Sequence, residues 1–219
     1  MAITAGDTGQ AVESINRVLL HGPDLIELRL DYMEDPVDLA AIRDATALPL
    51  IATDRSGDQE DRGNRSEEDR LEILMEACDA GFDYVDIETT TLDIEDVVSK
   101  AKAKGVGVIV SFHDFNGTPQ RQRLFEIMRR ELRQGADICK IVGTSNAPRD
   151  CLTYLAFLDE NRSIKLVSFG MGSAGSMSRV FSPLFGGEFT YASAGIGEES
   201  APGQLTISDL REIYRVLGV

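Results

Sequence analysis

The sequence predicts an α/β protein of the (β/α)8 TIM barrel class, built as a single catalytic domain over residues 1–219. Three observations carry that expectation. Short apolar runs alternate with amphipathic helical patterns at a spacing of about 27 residues, which is one βα unit. Most runs are apolar on successive positions, as parallel strands buried on both faces are. The residues that follow the runs are polar, and barrels carry their chemistry at the C-terminal ends of the strands.

Strands are expected at 24–30, 49–53, 83–88, 106–112, 137–142, 164–169 and 188–193, and a stub at 1–4 is a candidate first strand. Helices between them bear apolar stripes at i, i+3, i+4 and i+7: Leu71, Leu74, Met75 and Cys78; Ile94, Val97, Val98 and Ala101; Leu210, Ile213, Tyr214 and Leu217. Such stripes face a core and get no chemical role. Asp35-Pro36 and Thr118-Pro119 read as a capping residue followed by a first-turn proline. Ser66 with Asp69, and Thr206 with Asp209, have capping-box spacing. No linker or low-complexity tract divides the chain, so one domain is expected. The alternative architecture is an open doubly wound sheet.

Apolar residues make up 42% of the chain and Trp is absent, so the core is expected to be Leu, Ile, Val and Ala. A net charge of -15 disfavours nucleic acid and anionic lipid as partners. The three cysteines form no C-x-x-C pair and only two histidines are present, which argues against a zinc site. An odd cysteine count, no leader pattern and no long apolar segment give the expectation of a cytoplasmic protein.

Two residues stand out for chemistry. Lys140 sits inside Asp137-Ile138-Cys139-Lys140-Ile141-Val142 and shares a strand face with Ile138 and Val142. A lysine stripped of water there favours its free amine, the form that attacks a carbonyl. A lone strand lysine is more often a snorkelling or ion-paired residue. The polar strand ends around this one tip the balance toward catalysis. His113 closes the run Val108-Ile109-Val110-Ser111-Phe112, one unit earlier, and histidine exchanges protons near neutral pH. His21, before Gly22-Pro23, reads as a helix-end cation. The run Gly170-Met171-Gly172-Ser173-Ala174-Gly175 matches G-x-G-x-x-G, but it lies late in the chain and no acidic residue closes a second strand after it. It reads instead as a turn whose N–H groups, with Arg179, suit a carboxylate or phosphate.

Glu27-Leu28-Arg29 with Asp31, Ser111-Phe112-His113-Asp114-Phe115, Ala136-Asp137-Ile138-Cys139-Lys140-Ile141, the glycine-bearing turn ending Ser178-Arg179, and Ser200-Ala201-Pro202-Gly203-Gln204 occur in one order. In that order and spacing the chain resembles the type I 3-dehydroquinate dehydratases. The resemblance implies the shikimate pathway of aromatic amino-acid biosynthesis and the dehydration of 3-dehydroquinate to 3-dehydroshikimate, with no cofactor and no metal. It implies that Lys140 forms a Schiff base with the substrate ketone and that His113 is general base and then acid. It assigns Glu27, Arg29 and Arg55 to substrate hydroxyls, Arg179 to the substrate carboxylate, and Ser200 and Gln204 to closure over the ligand. It also implies a homodimer. One departure is visible. The family's Glu-Gly-Gly after the third-strand arginine is replaced by Arg55-Ser56-Gly57-Asp58-Gln59-Glu60-Asp61-Arg62-Gly63. Glu60 is the expected helper of His113, because a carboxylate stabilises an imidazolium and Gln59 cannot; Glu88 is the alternative. A class I aldolase would share the lysine and the anion pocket. A small-acid sensor would need neither Lys140 nor His113.

Overall fold

The computed structural model describes residues 1–56 and 65–219. Its backbone contacts gather into two compact units, Met1–Ile109 and Val110–Val219.

The first unit runs β1 (Ala2–Thr4), α1 (Thr8–Leu19), β2 (Ile26–Arg29), α2 (Leu39–Asp44), β3 (Leu50–Thr53), α3 (Glu67–Asp79), β4 (Tyr84–Glu88), α4 (Ile94–Ala103) and the start of β5 (Gly107–Asp114). The stub at the N-terminus is thus a true strand. Ala2 stands opposite Glu27, Glu27 opposite Ile51, and Thr53 opposite Asp86, all in parallel pairing. Opposed residues of parallel strands point to the same face. Glu27, Arg29, Thr53, Asp86 and Glu88 therefore share one face, and Ile26, Leu28, Leu50, Ala52, Val85 and Ile87 the other. Helices α3 and α4 lie against β4.

Caps and stripes explain the helix ends, with local corrections. Asp38, not Asp35, caps α2, accepting from the Ala41 N–H at 3.0 Å. Ser66 and Asp69 form the expected capping box on α3. The α4 stripe is buried as expected. The α3 stripe is rotated: Ile73, Leu74, Ala77 and Cys78 are buried, with Arg70 among them. The rotation follows from Arg70, whose guanidinium reaches Asp54 and Glu88 and turns its side of the helix inward.

The second unit holds the end of β5, then α5 (Arg121–Arg133), β6 (Ile138–Thr144), α6 (Cys151–Glu160), β7 (Leu166–Met171), α7 (Ser176–Phe181), β8 (Ala192–Ser193), β9 (Leu205–Thr206) and α8 (Ile207–Leu217). Leu124, Ile127 and Met128 of α5 and Tyr154, Phe157 and Leu158 of α6 form one core with Cys139 and Ile141 of β6. Each aliphatic side chain so buried contributes roughly 1.5–3 kcal/mol. A one-residue slip of β6 would exchange Cys139 and Ile141 for Lys140 in this apolar layer, so packing fixes the strand's register. Lys140 consequently faces away from the helices.

Two expectations fail here. Thr118 does not cap α5, which begins after Gln120; the Thr118 hydroxyl donates to the Thr144 carbonyl at 3.0 Å. The strand expected at 188–193 is reduced to β8, paired in parallel with β9 in a separate two-stranded sheet. Its backbone meets β7 at the Leu166–Gly187 bridge and at the Glu188 N–H to Leu166 carbonyl bond of 2.7 Å. Beyond it, Phe189 and Tyr191 join a ring cluster instead of extending a ladder. The α8 stripe is also looser than its pattern implies, since Leu217 is exposed.

Candidate active site

The polar face of the first unit is a lattice of buried charges. Arg29 donates to both Asp31 oxygens, Nε at 2.9 Å and Nη2 at 2.7 Å, and lies over the Tyr32 ring. The Thr53 hydroxyl donates to Glu27 Oε1 at 2.8 Å. Arg55 Nη2 donates to Asp86 Oδ2 at 2.6 Å. Burial works against the Arg55 charge, but Asp86, Glu88 and Glu27 outweigh it and hold its pKa above the ordinary arginine value. Arg70 donates to Glu88 Oε2 at 2.6 Å and to Asp54 at 3.2 Å, and Arg65 to Asp54 at 2.9 Å. Burial still pushes the Asp54 carboxyl up to about 6, against the pull of those two arginines. The Ser56 N–H reaches Glu88 Oε2 at 3.3 Å. Buried ion pairs seldom add stability over apolar packing, so a lattice this dense points to function.

Glu27, Arg29 and Arg55 are all buried in this lattice. Gln59 and Glu60 lie outside the described residues, between Ser56 and Arg65.

The second unit carries the two cations singled out in the sequence. Lys140 is 5% exposed and Arg179, on α7, is 2% exposed. Each rests on an aromatic ring. Lys140 Nζ donates to the Tyr191 hydroxyl at 2.9 Å and lies 4.8 Å from that ring's centroid. The Arg179 guanidinium lies 4.3 Å from the Phe169 centroid. Phe169 meets Tyr191 edge-on at 5.9 Å, so the rings link the two cations. Burial depresses the Arg179 pKa to about 10, with Tyr191 acting weakly the other way. Arg179 Nε is buried without a hydrogen-bond partner, and among the described residues no carboxylate lies within ion-pair distance of this guanidinium. A buried charge without a paired partner is costly to hold.

His113 sits where β5 opens from fully buried to half-buried positions, its ring near-parallel to Phe115 at 6.2 Å. Ser200 and Gln204 bond each other: the Ser200 N–H donates to Gln204 Oε1 at 3.0 Å, and Gln204 Nε2 donates to the Ser200 hydroxyl at 2.8 Å.

The glycine N–H groups of the glycine-rich turn are engaged within the protein. The Gly170 N–H donates to the Ser178 hydroxyl at 2.8 Å, the Gly172 N–H to the Pro202 carbonyl at 3.2 Å, and the Gly175 N–H to the Gly172 carbonyl at 2.9 Å. These three glycine N–H groups are spent internally. The glycines serve close approach instead: a Cβ on Gly203, at φ +84, would collide with the Gly172 carbonyl. The 200–204 loop is thereby seated on the turn.

Tyr191 and Phe169 escape the sequence reading altogether. An aromatic residue in an apolar run looks like core, and only its position across from a buried cation gives it meaning.

The type I 3-dehydroquinase family model matches residues 1–219. A 3-dehydroquinate dehydratase of Methanococcus maripaludis is 32% identical over 213 residues, covering 96% of this chain and 95% of its own. The 3-dehydroquinate dehydratase of Geobacillus kaustophilus superposes with a TM-score of 0.91 at 29% identity, covering 99% of this chain and 89% of its own. A type I 3-dehydroquinate dehydratase of Clostridium difficile, solved with covalently modified comenic acid, gives 0.88 at 27% identity, over 99% of this chain and 90% of its own. The fold is the α/β barrel those enzymes share. By sequence over its whole length and by structure, the chain belongs to the type I 3-dehydroquinase family of hydro-lyases.

Proposed function

We propose that the chain dehydrates 3-dehydroquinate to 3-dehydroshikimate through a Schiff base on Lys140, with His113 moving the protons. 3-Dehydroquinate dehydratase activity, a step of the shikimate pathway, comes with the family. The finer reading rests above all on one observation. Lys140 is a buried amine turned away from its helix layer, joined through aromatic rings to a buried arginine that pairs with no carboxylate among the described residues.

The chemistry needs both basic side chains, Lys140 as its free amine and Arg179 as a cation. The proton lost lies next to a ketone and is weakly acidic. Condensing the ketone with Lys140 releases water and leaves a protonated imine, an electron sink that requires no metal. His113 takes the proton, and the C–H electrons move toward the iminium to form an enamine. As those electrons return, the β-hydroxyl departs with the proton His113 holds. Water then hydrolyses the imine and frees Lys140. Arg179 pairs with the substrate carboxylate and fixes the orientation. Glu27, Arg29 and Arg55 bind substrate hydroxyls, held rigid by their own partners. Ser200 and Gln204 close over the ligand. One catalytic domain over 1–219, a homodimer and a cytoplasmic setting belong to the same reading and rest on the family resemblance.

Borohydride added with substrate is expected to fix one ligand mass on the protein, and peptide mapping to place it on Lys140. An adduct on another lysine, or none, would falsify the assignment.

Glu60 is the proposed helper of His113. Glu88 is tied by Oε2 to Arg70 and the Ser56 N–H, which supports a structural task for it. Glu60→Gln is expected to lower turnover and shift the acidic limb of the pH–rate profile, with Gln59→Ala doing little. Glu88→Gln should appear first as lost stability, on the order of the 3–5 kcal/mol that follows removal of one partner from a buried ion pair. Kinetics and melting curves of the three variants side by side decide it. Impaired turnover in Glu88→Gln alone, at unchanged melting temperature, places the helper on β4.

A further inference from the structure

We propose that the Tyr191 hydroxyl is a catalytic group of the Schiff-base step, orienting the Lys140 amine and relaying a proton from its nitrogen to the substrate's ketone oxygen. The inference rests on the Schiff-base reading above and adds to it a group that touches the reacting nitrogen.

The geometry is specific. Lys140 Nζ and Tyr191 Oη are 2.9 Å apart, and both residues are buried, at 5% and 7% exposure. Tyr191 is clamped edge-on between Phe169 at 5.9 Å and Phe189 at 5.7 Å. It directly precedes β8, whose pairing with β9 fixes the backbone beside it. A ring held on two sides by other rings keeps its hydroxyl in one place, and a fixed group costs no reorganisation when reaction begins. Filling that space requires only a phenyl ring, as Phe169 and Phe189 illustrate. The hydroxyl adds a buried polar atom, which is tolerated when it has a partner. Here the partner is the amine that must attack.

The proton balance closes. With Lys140 as a free amine, one of its N–H groups donates to the Tyr191 oxygen, which leaves the nitrogen lone pair free for the ketone carbon. Addition forms the C–N bond and moves the carbonyl π electrons to oxygen. The nitrogen now carries one proton too many and the oxygen lacks one. Tyr191 gives its phenolic proton to that oxygen and takes the nitrogen's, ending as it began. The carbinolamine then loses water with a proton from outside the pair, leaving the iminium, whose N–H donates to Tyr191 Oη. The same path run backwards releases product. Removal of the substrate proton does not pass through Tyr191, so its loss should slow imine formation and spare the His113 step.

Tyr191→Phe keeps the ring and removes the relay. After rapid mixing with 3-dehydroquinate, borohydride quenching at successive times gives the rate at which the Lys140 adduct appears. The expected result is an adduct on the same lysine forming about 10²-fold more slowly, the scale of a lost proton-transfer group. The primary deuterium isotope effect on turnover should shrink, because imine formation becomes limiting. A second arm keeps the hydroxyl: fluorotyrosine at position 191 makes the phenol more acidic and should move the pH profile of adduct formation to lower pH. An unchanged adduct rate in Tyr191→Phe, or an unmoved profile with fluorotyrosine, overturns the relay while the Schiff base stands. If the unaltered protein turns substrate over with no adduct on Lys140, the Schiff-base reading falls and the relay falls with it.

Discussion

His113→Ala lowers kcat by about 10²–10⁴-fold, the range for a lost general acid–base group, and leaves the Lys140 adduct intact. The expectation follows from the division of labour between the two residues. Lys140 is deeply buried and aimed away from the helix layer. His113 lies at the half-buried end of β5, where the strand opens after four buried positions. Histidine is the side chain suited to take and return one proton per cycle near neutral pH. In the variant the imine still forms, because its chemistry uses the amine and the ketone. The next step stalls, so borohydride should trap more adduct at steady state than in the unaltered protein. Turnover within a few-fold of normal would mean another group removes the proton. Loss of the adduct together with turnover would mean that His113 takes part in imine formation.

The barrel pattern was legible because its units repeat the same physics. Seven of the eight expected strands are present as members of one sheet, with ends shifted by a few residues. The eighth was misread because apolar character at Phe189 and Tyr191 has two sources, strand burial and ring clustering, and a linear pattern does not separate them. The α3 stripe was misread for a related reason. Arg70 counts as polar in any periodicity, yet its ion pairs with Asp54 and Glu88 draw it inside. The burial of Lys140 was legible because it lies inside an apolar strand run. The polar strand ends marked Glu27, Arg29 and Arg55, but not that each would be pinned by its own partner. The glycine run was legible as a turn and not as a packing surface, since the carbonyls its glycines approach come from elsewhere in the chain. Tyr191 was invisible because its partner is 51 positions away.

Arg179→Met separates stability from function in opposite directions. The Arg179 guanidinium is buried on α7 over Phe169, its Nε has no partner, and among the described residues no carboxylate pairs with it. Burial already depresses its pKa to about 10, a direct sign that the folded protein holds this charge at a cost. Desolvating an ion costs several kcal/mol, and a buried cation–π contact returns roughly 2 kcal/mol of it. Met occupies similar space, packs on an aromatic ring and carries no charge. The unliganded variant should therefore be more stable, by on the order of 1 kcal/mol, which raises Tm by about 2–4 °C in a chain of this size. Substrate binding should move the other way. Removing one partner of a buried carboxylate–arginine pair costs about 2–5 kcal/mol, so KM should rise by at least about 30-fold. Saturating 3-dehydroshikimate should raise the Tm of the unaltered protein and leave that of Arg179→Met nearly unmoved, since ligand stabilises only where it binds. Arg179→Lys provides the control for charge without the planar fork, and is expected to bind ligand weakly and gain no stability. A fall in Tm for Arg179→Met would mean that the guanidinium supports the fold through Phe169, and that the carboxylate is held elsewhere. Unchanged KM would remove Arg179 from the substrate site whatever its effect on stability.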